Sequence, residues 1–293
     1  MKVRNALSMG IVAALAVGAI ALTGCGGTPA ANTPGTAADG STTPAPGTLT
    51  ISGSDTMVNL AQAWADAYQT ANPNVTLAVK GGGSGVGIAA LINKTVTFAD
   101  ASREMKPEEI TQAQANGVNP VATKVARDGV AIIVNPANKV TNLTKDQLGK
   151  IYLGTITNWN DVDGADAPIT LVSRDPSSGT YEFMTSKVLG GGKFAASAKL
   201  LGSTQAVVDE VTADPNAIGY IGVGYESSKI TVIGVDGIKA SVDTVANETY
   251  PLWRYLYMYS NGDPAGTAKA YVDWILGAEG QQTVTDQGFV PVQ

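Results

Sequence analysis

The sequence predicts an α/β fold built mainly on parallel sheets, because one unit recurs along it. An alternating apolar run is followed by a small polar turn, then by apolar residues at helical spacing. The first copy has a strand at 48–52, the turn Gly53-Ser54-Asp55-Thr56-Met57, and a helix over 58–70 with Leu60, Ala61, Trp64, Ala67 and Tyr68 on one side. The second has a strand at 75–79 and the turn Lys80-Gly81-Gly82-Gly83-Ser84-Gly85-Val86-Gly87, running into the helical Ile88-Ala89-Ala90-Leu91-Ile92. The third has a strand at 169–172, the stretch Arg174-Asp175-Pro176-Ser177-Ser178-Gly179-Thr180, and a helix over 181–189. In such sheets ligands lie beyond the carboxyl ends of the strands, near helix N-termini.

The remaining elements follow in order. Asn72-Pro73-Asn74 stops the first helix. A strand over 96–103 ends in Ser102-Arg103, and Lys106-Pro107-Glu108-Glu109 opens a helix with proline and acids in its first turn. Two β-branched runs, 121–125 and 130–134, flank Arg127-Asp128-Gly129 and are placed near a crossover between two lobes. Helices are predicted at 146–152 and 204–211, with strands at 217–221 and 230–235. Residues 250–259 read as a strand pair or one long return strand, and their aromatics are assigned to packing because they bury so much area. The C-terminal 264–288 reads as helical.

Length and composition narrow the function. Lys2, Arg4 and the apolar 11–22 make an export signal over residues 1–25, with an apolar core too short for an ordinary membrane span. Leu22-Thr23-Gly24-Cys25 resembles the bacterial lipobox, in which Cys25 becomes the lipid-bearing N-terminus. Cys25 is the single cysteine, so disulfides are excluded. Residues 26–48 are almost all Gly, Thr, Pro, Ala and Ser, with Asp39 the only charge, and form a flexible tether that cannot bury a core. About 245 residues remain, enough for one large domain or two of about 120. Without Lys2 and Arg4 the basic residues fall from 19 to 17 against 25 acids, a net charge near −8 that argues against nucleic acid or anionic membrane as a partner. With no histidine anywhere, Ser-His-Asp and Cys-His catalysis and His-based metal sites are excluded. No calcium-loop pattern is present either.

Four polar turns, at Ser54, Ser84, Ser102 and Arg174, sit where an anion would be bound. A helix opening on Ser178-Gly179-Thr180 offers free N–H groups, hydroxyls and the positive end of its dipole, beside a planar guanidinium from Arg174. The glycine turn is not a P-loop, since no Gly-Lys-Ser/Thr follows, and it is not a nucleophile elbow, since Val86 fills the last glycine position. An anion cradle without catalysis survives that elimination.

With those motifs in order, the chain resembles the phosphate-binding lipoproteins of Pst-type ABC importers, a periplasmic-binding-protein fold of type II topology. The resemblance covers nearly all of 49–293. It is carried by Gly53-Ser54-Asp55-Thr56, Gly82-Gly83-Ser84-Gly85, Ala101-Ser102-Arg103 and Arg174 to Thr180. The Leu148 to Trp159 segment and the end from Glu279 to Pro291 also match. It implies a monomer of two lobes, 49–126 with 255–293 and 127–254, joined by two crossovers and closing on dehydrated phosphate. Ser54, Asp55, Thr56, the Met57 N–H, Ser84, Ser102 and Arg103 would serve from lobe one, and Arg174, Ser178, Gly179 and Thr180 from lobe two. No cofactor or metal is implied. The expected partners are inorganic phosphate and the permease subunits, with the chain lipid-anchored on the outer face of the cell membrane.

One departure bears on selectivity. Family members carry an aspartate at the position of Arg103, where it accepts the proton of monohydrogen phosphate and so discriminates against sulfate. Here Asp55 is the nearest acid by motif and Asp128 the next, while Asp55 reads equally well as a helix cap. Arg103 either contacts the ligand or balances a neighbouring carboxylate. The alternatives are another oxyanion (sulfate or molybdate), a phosphate-ester hydrolase, or an interaction or sensory protein on the same fold.

Overall fold

The computed structural model describes residues 47–292. The export signal, Cys25 and nearly all of the tether lie outside those residues. Strands and helices alternate at first: β1 (Gly47–Gly53), α1 (Val58–Ala71), β2 (Val75–Lys80), α2 (Ser84–Ile92), β3 (Phe98–Ala101) and α3 (Pro107–Ala115). The long β4 (Pro120–Val134) leads to β5 (Asn142–Leu143), α4 (Lys145–Tyr152), β6 (Thr170–Arg174), α5 (Gly179–Lys187), β7 (Lys199–Leu201), α6 (Thr204–Ala213) and β8 (Ala217–Gly222). The chain ends with β9 (Thr231–Val235), α7 (Val242–Ala246), β10 (Trp253–Asn261), α8 (Gly266–Leu276) and α9 (Ala278–Asp286). β1 starts two residues inside the predicted tether, because Gly47 and Thr48 already pair with Val75 and Thr76.

The strand order is β2-β1-β3-β10-β4-β8-β6-β7, with β9 and β5 off this path. β1 lies parallel to β2 and β3, and β6 parallel to β7 and β8. Between these groups β10 runs antiparallel to β3 and β4, and β4 antiparallel to β8 and β9. The arrangement is therefore mixed rather than mainly parallel. The reason is that β4 and β10 are the connections between the two halves, and a chain that crosses and returns must run in opposite directions.

β4 carries the junction. Pro120 to Gly129 pair with β10, and Val130 to Val134 pair with β8, so a single strand belongs to both halves. The sequence pattern splits this strand into two runs at Arg127-Asp128-Gly129. The backbone stays extended there because Arg127 exchanges N–H and C=O bonds with Val290, and Arg254 stands opposite Asp128.

One apolar interior runs through both halves, with a smaller cluster around Ile88, Leu91 and Ile92 beside it. α1 buries Leu60, Ala61, Trp64, Ala65 and Tyr68, the side its spacing predicts. Trp64 Nε1 donates to the Gly280 carbonyl at 2.8 Å, and Gln281 Nε2 donates to Val125 and Ile275 carbonyls, which fastens the C-terminal helices to the first half. The other half buries Ile132, Ile133, Tyr152, Trp159, Ile218 and Tyr220.

One buried group opposes this packing. Asp100 on β3 is 2 % exposed, its Oδ1 has no hydrogen-bond partner, and burial pushes its carboxyl up to about 8. The Tyr68 and Tyr271 hydroxyls are likewise buried without partners. Between the ordinary carboxylate range and about pH 8 the folded state holds a proton that the unfolded chain releases, so stability must fall as pH rises through that window. Asp100→Asn is expected to flatten that dependence, and its melting temperature should exceed that of the parent at pH 8 but not at pH 4. Equal pH slopes in the two proteins would show that Asp100 stays ionised.

Candidate functional site

α2 and α5 start just after strands, on Ser84 and Gly179, while α1 starts on Val58 shortly after Thr56, and the hydroxyls at these helix starts approach one another. Thr56, just ahead of α1, places Oγ1 3.0 Å from Thr180 Oγ1 in α5. Ser84, the first residue of α2, has Oγ 3.3 Å from Ser102 Oγ and accepts the Ser102 N–H at 3.0 Å. Gly179, the first residue of α5, approaches this pair so closely that a Cβ would stand 2.4 Å from Ser84 Oγ and 2.5 Å from Ser102 Oγ. Only glycine fits there. Ser178 caps α5 by accepting the Thr180 and Tyr181 N–H groups. Ser54, Thr56, Ser84, Ser102, Ser178 and Thr180 are all buried.

The electrostatics of this arrangement follow from helix geometry. First-turn N–H groups have no carbonyl of their own helix to bond, and they carry about half a positive charge at each end. Three such ends brought together disfavour one another and favour an anion among them. The halves are also held by direct bonds around this point. Gly85 N–H donates to the Ser177 carbonyl at 2.9 Å, Ser177 Oγ to the Gly82 carbonyl at 3.1 Å, and Lys106 pairs with Glu182 at 2.8 Å. Gly83, at φ 101°, makes that approach possible: a Cβ would lie 2.4 Å from Ser177 Oγ.

Arg174 is 2 % exposed and heavily engaged. Nε donates to the Leu201 carbonyl, Nη1 to Thr204 Oγ1, and Nη2 to the Gly202 carbonyl and to Asp55 Oδ2 at 2.7 Å. Asp55 also accepts the Gly82 N–H at 3.2 Å. It is not a helix cap, since Met57 occupies that position with no side-chain bond. Met57 donates its N–H to the Ser54 carbonyl at 3.0 Å. Arg103 forks onto Glu109, with Nη1 and Nη2 each 2.7 Å from a carboxylate oxygen, and Nη1 also reaches the Glu104 carbonyl. Burial opposes ionisation of Glu109, but the Arg103 bonds and charge together with the Lys106 N–H hold its carboxyl below the usual range. Of the two readings of Arg103, the geometry realises the carboxylate partner.

Sequence reasoning passed over Arg254. It is 6 % exposed, and its Nε and Nη2 grip Asp128 Oδ2 at 2.9 and 2.8 Å. Nη2 also donates to Thr180 Oγ1 at 2.9 Å and reaches Thr56 Oγ1 at 3.4 Å. Nη1 is buried without a partner. Asp128 is fully buried, and its Oδ1 accepts the Val223 N–H at 3.0 Å. Burial raises the Asp128 carboxyl and lowers the Arg254 guanidinium, and the charge and hydrogen bonds that each receives from the other oppose both shifts. The available signal was Arg254 itself, the one charge in the aromatic run 250–259. Among the described residues no group of His, Cys, Asp and Glu could hold a metal ion.

A family model described as a PBP superfamily domain matches residues 38–279. The chain belongs to the PBP superfamily. The chain has the two-lobed periplasmic binding fold. The phosphate-binding protein PstS of Bacillus subtilis is 36% identical over 251 residues, covering 85% of this chain and 82% of its own. The phosphate-binding protein PstS of Pseudomonas aeruginosa is 31% identical, covering 84% of this chain and 83% of its own. Among solved structures, a Clostridium perfringens protein with bound phosphate, described as a phosphate ABC transporter substrate-binding protein, superposes with a TM-score of 0.79 at 31% identity. That match covers 84% of this chain and all of the other. An ABC-type phosphate transport receptor from Vibrio cholerae gives 0.69 at 30% identity, covering 83% and 99%.

Proposed function

We propose that this PBP-superfamily protein is the solute-binding component of an ABC importer, which captures inorganic phosphate and delivers it to the membrane permease. The observation that carries this reading is the convergence of three helix N-termini with the Thr56, Ser84 and Thr180 hydroxyls and a guanidinium from Arg254. Such a site offers many donors to a small tetrahedral oxyanion and excludes water, so each hydrogen bond is worth more than at the surface. The relatives named for phosphate binding support the choice of anion. Lobe one comprises 49–126 and 255–293, lobe two 127–254, and the lobes close on the ligand about β4 and the start of β10. The protein acts as a monomer, performs no catalysis, and is held at the outer face of the membrane through lipid on Cys25.

A second reading, weaker rejection of sulfate or molybdate, is favoured by one observation. Both candidate acceptors are engaged, Asp55 by Arg174 and Gly82, Asp128 by Arg254 and Val223, and the resemblance implies an acid where this chain has Arg103. Calorimetric titration with phosphate, sulfate, molybdate and a phosphonate tests both. Phosphate is expected to bind most tightly. Tight binding of another oxyanion with no heat from phosphate would overturn the assignment, and comparable affinities for phosphate and sulfate would establish the second reading.

A further inference from the structure

One turn of 3-10 helix, Val223–Tyr225, follows β8 and packs against residues far from it in sequence. Its first N–H donates to Asp128 Oδ1 at 3.0 Å. The glycines on either side of Val223 make close approaches. A Cβ on Gly222 would stand 2.8 Å from Thr56 Cγ2, and one on Gly224 would stand 2.4 Å from the Phe289 ring. The turn therefore presses on the loop ahead of α1 and on the C-terminal end of the chain. At its last residue the Tyr225 hydroxyl donates to the Asp55 carbonyl at 2.6 Å. Burial, and after it the Asp55 charge, raises the Tyr225 phenol above its ordinary value, so the group stays protonated and able to donate.

The Asp55 carbonyl shares a peptide plane with the Thr56 N–H. In a trans peptide the two point in opposite directions, so a bond that fixes the carbonyl also fixes the N–H on the far side. Thr56 is buried, and among the described residues nothing accepts its N–H. A buried N–H without an acceptor is rare and calls for a partner. The side chain of the same residue lies at the anion site, with Thr180 Oγ1 at 3.0 Å and Arg254 Nη2 at 3.4 Å.

We infer that Tyr225 is a positioning residue for anion binding: its hydroxyl holds the Asp55–Thr56 peptide so that the Thr56 N–H donates to bound phosphate. The inference rests on the phosphate reading above and deepens it, adding a residue of lobe two that acts through the backbone of lobe one. Asp55 is thus held from lobe two at both ends, its carboxylate by Arg174 and its carbonyl by Tyr225. A bond between lobes is made on closure and broken on opening, so it governs how long the ligand stays.

Tyr225→Phe deletes one oxygen and keeps the ring, and calorimetry with stopped-flow release of inorganic phosphate reads its effect. Phosphate affinity is expected to fall about 2- to 12-fold, the range for one neutral hydrogen bond, through faster release. The phosphate-free variant should melt close to the parent. A residue that only supports the fold would instead lower the melting temperature and leave the release rate unchanged. A second reading needs no variant: phosphate should move the Thr56 amide proton downfield in the NMR spectrum of the unaltered protein, as a new hydrogen bond does. Unchanged affinity and release in Tyr225→Phe, or a Thr56 amide resonance that phosphate leaves in place, overturns the inference and leaves the phosphate reading standing. Absence of phosphate binding by the unaltered protein overturns the reading beneath it.

Discussion

Arg254→Met is expected to destabilise the protein by about 3–5 kcal/mol at neutral pH, because it leaves Asp128 buried and uncompensated. It should also weaken phosphate binding by about 10- to 150-fold, the range for one lost hydrogen bond to a charged group. The two effects have separate origins and can be separated. Burial already raises the Asp128 carboxyl, and the substitution removes the opposing charge and hydrogen bonds of Arg254, so the carboxyl rises further. A folded-state value above the unfolded one means stability is retained at low pH and lost as pH increases. The variant should therefore be closer to the parent at pH 5 than at pH 8. Adding Asp128→Asn should restore much of the stability, since a neutral side chain no longer demands a counter-ion. It should not restore binding, because the guanidinium next to Thr56 and Thr180 is still missing. Thermal melts across pH, with calorimetry on the single and double variants, check both statements. Recovery of phosphate affinity in the double variant would contradict the ligand role of Arg254.

Arg174→Ala should show the opposite balance, a large loss of phosphate affinity with a smaller loss of stability in the absence of ligand. Its Nη2 joins Asp55, which precedes α1 in lobe one, to a strand end in lobe two. A bond between lobes contributes where the lobes are together, so it strengthens the closed state that ligand selects. The pair is hydrogen-bonded and nearly buried, with side chains 2% and 12% exposed, so it is screened less than a surface ion pair. A loss of about 10- to 150-fold in affinity is expected for Arg174→Ala. Arg174→Lys should recover little of it, since an ammonium cannot reach Thr204, Gly202 and Asp55 with one rigid fork. A double-mutant cycle with Asp55→Asn should give a coupling of about 0.5–3 kcal/mol in phosphate binding. Additive losses would mean that Arg174 and Asp55 act independently and that the inter-lobe latch is absent.

What the sequence revealed and what it concealed divide along physical lines. The strand–turn–helix units at Ser54, Ser84 and Ser178 were legible because caps and glycine turns are local signals, and α2 and α5 begin at or next to theirs while α1 begins at Val58, after the turn that holds Ser54. Strand direction was not legible, because an apolar run such as 130–134 reads the same whichever way its neighbour lies. The continuity of β4 was hidden by Arg127 and Asp128, polar residues that stay in the strand only through Val290 and Arg254, both far along the chain. The Asp55–Arg174 pair spans 119 residues and Arg254–Asp128 spans 126, so neither leaves a local trace. Arg254 carried no assignment in a run whose aromatics read as packing, although a single charge in such a strand has to find a buried partner. Arg103 was open between two roles until Glu109 was seen to take both prongs of its guanidinium.

The central claim is that both lobes hold one oxyanion at the meeting point of three helix N-termini. A crystal structure of the protein grown with phosphate tests it most directly. The account predicts a phosphate within hydrogen-bond distance of Thr56, Ser84 and Thr180 hydroxyls and of the Ser84 and Gly179 N–H groups, with Arg254 in contact. Phosphate bound only elsewhere on the protein, or absent from between α2 and α5 at saturating concentration, would contradict it.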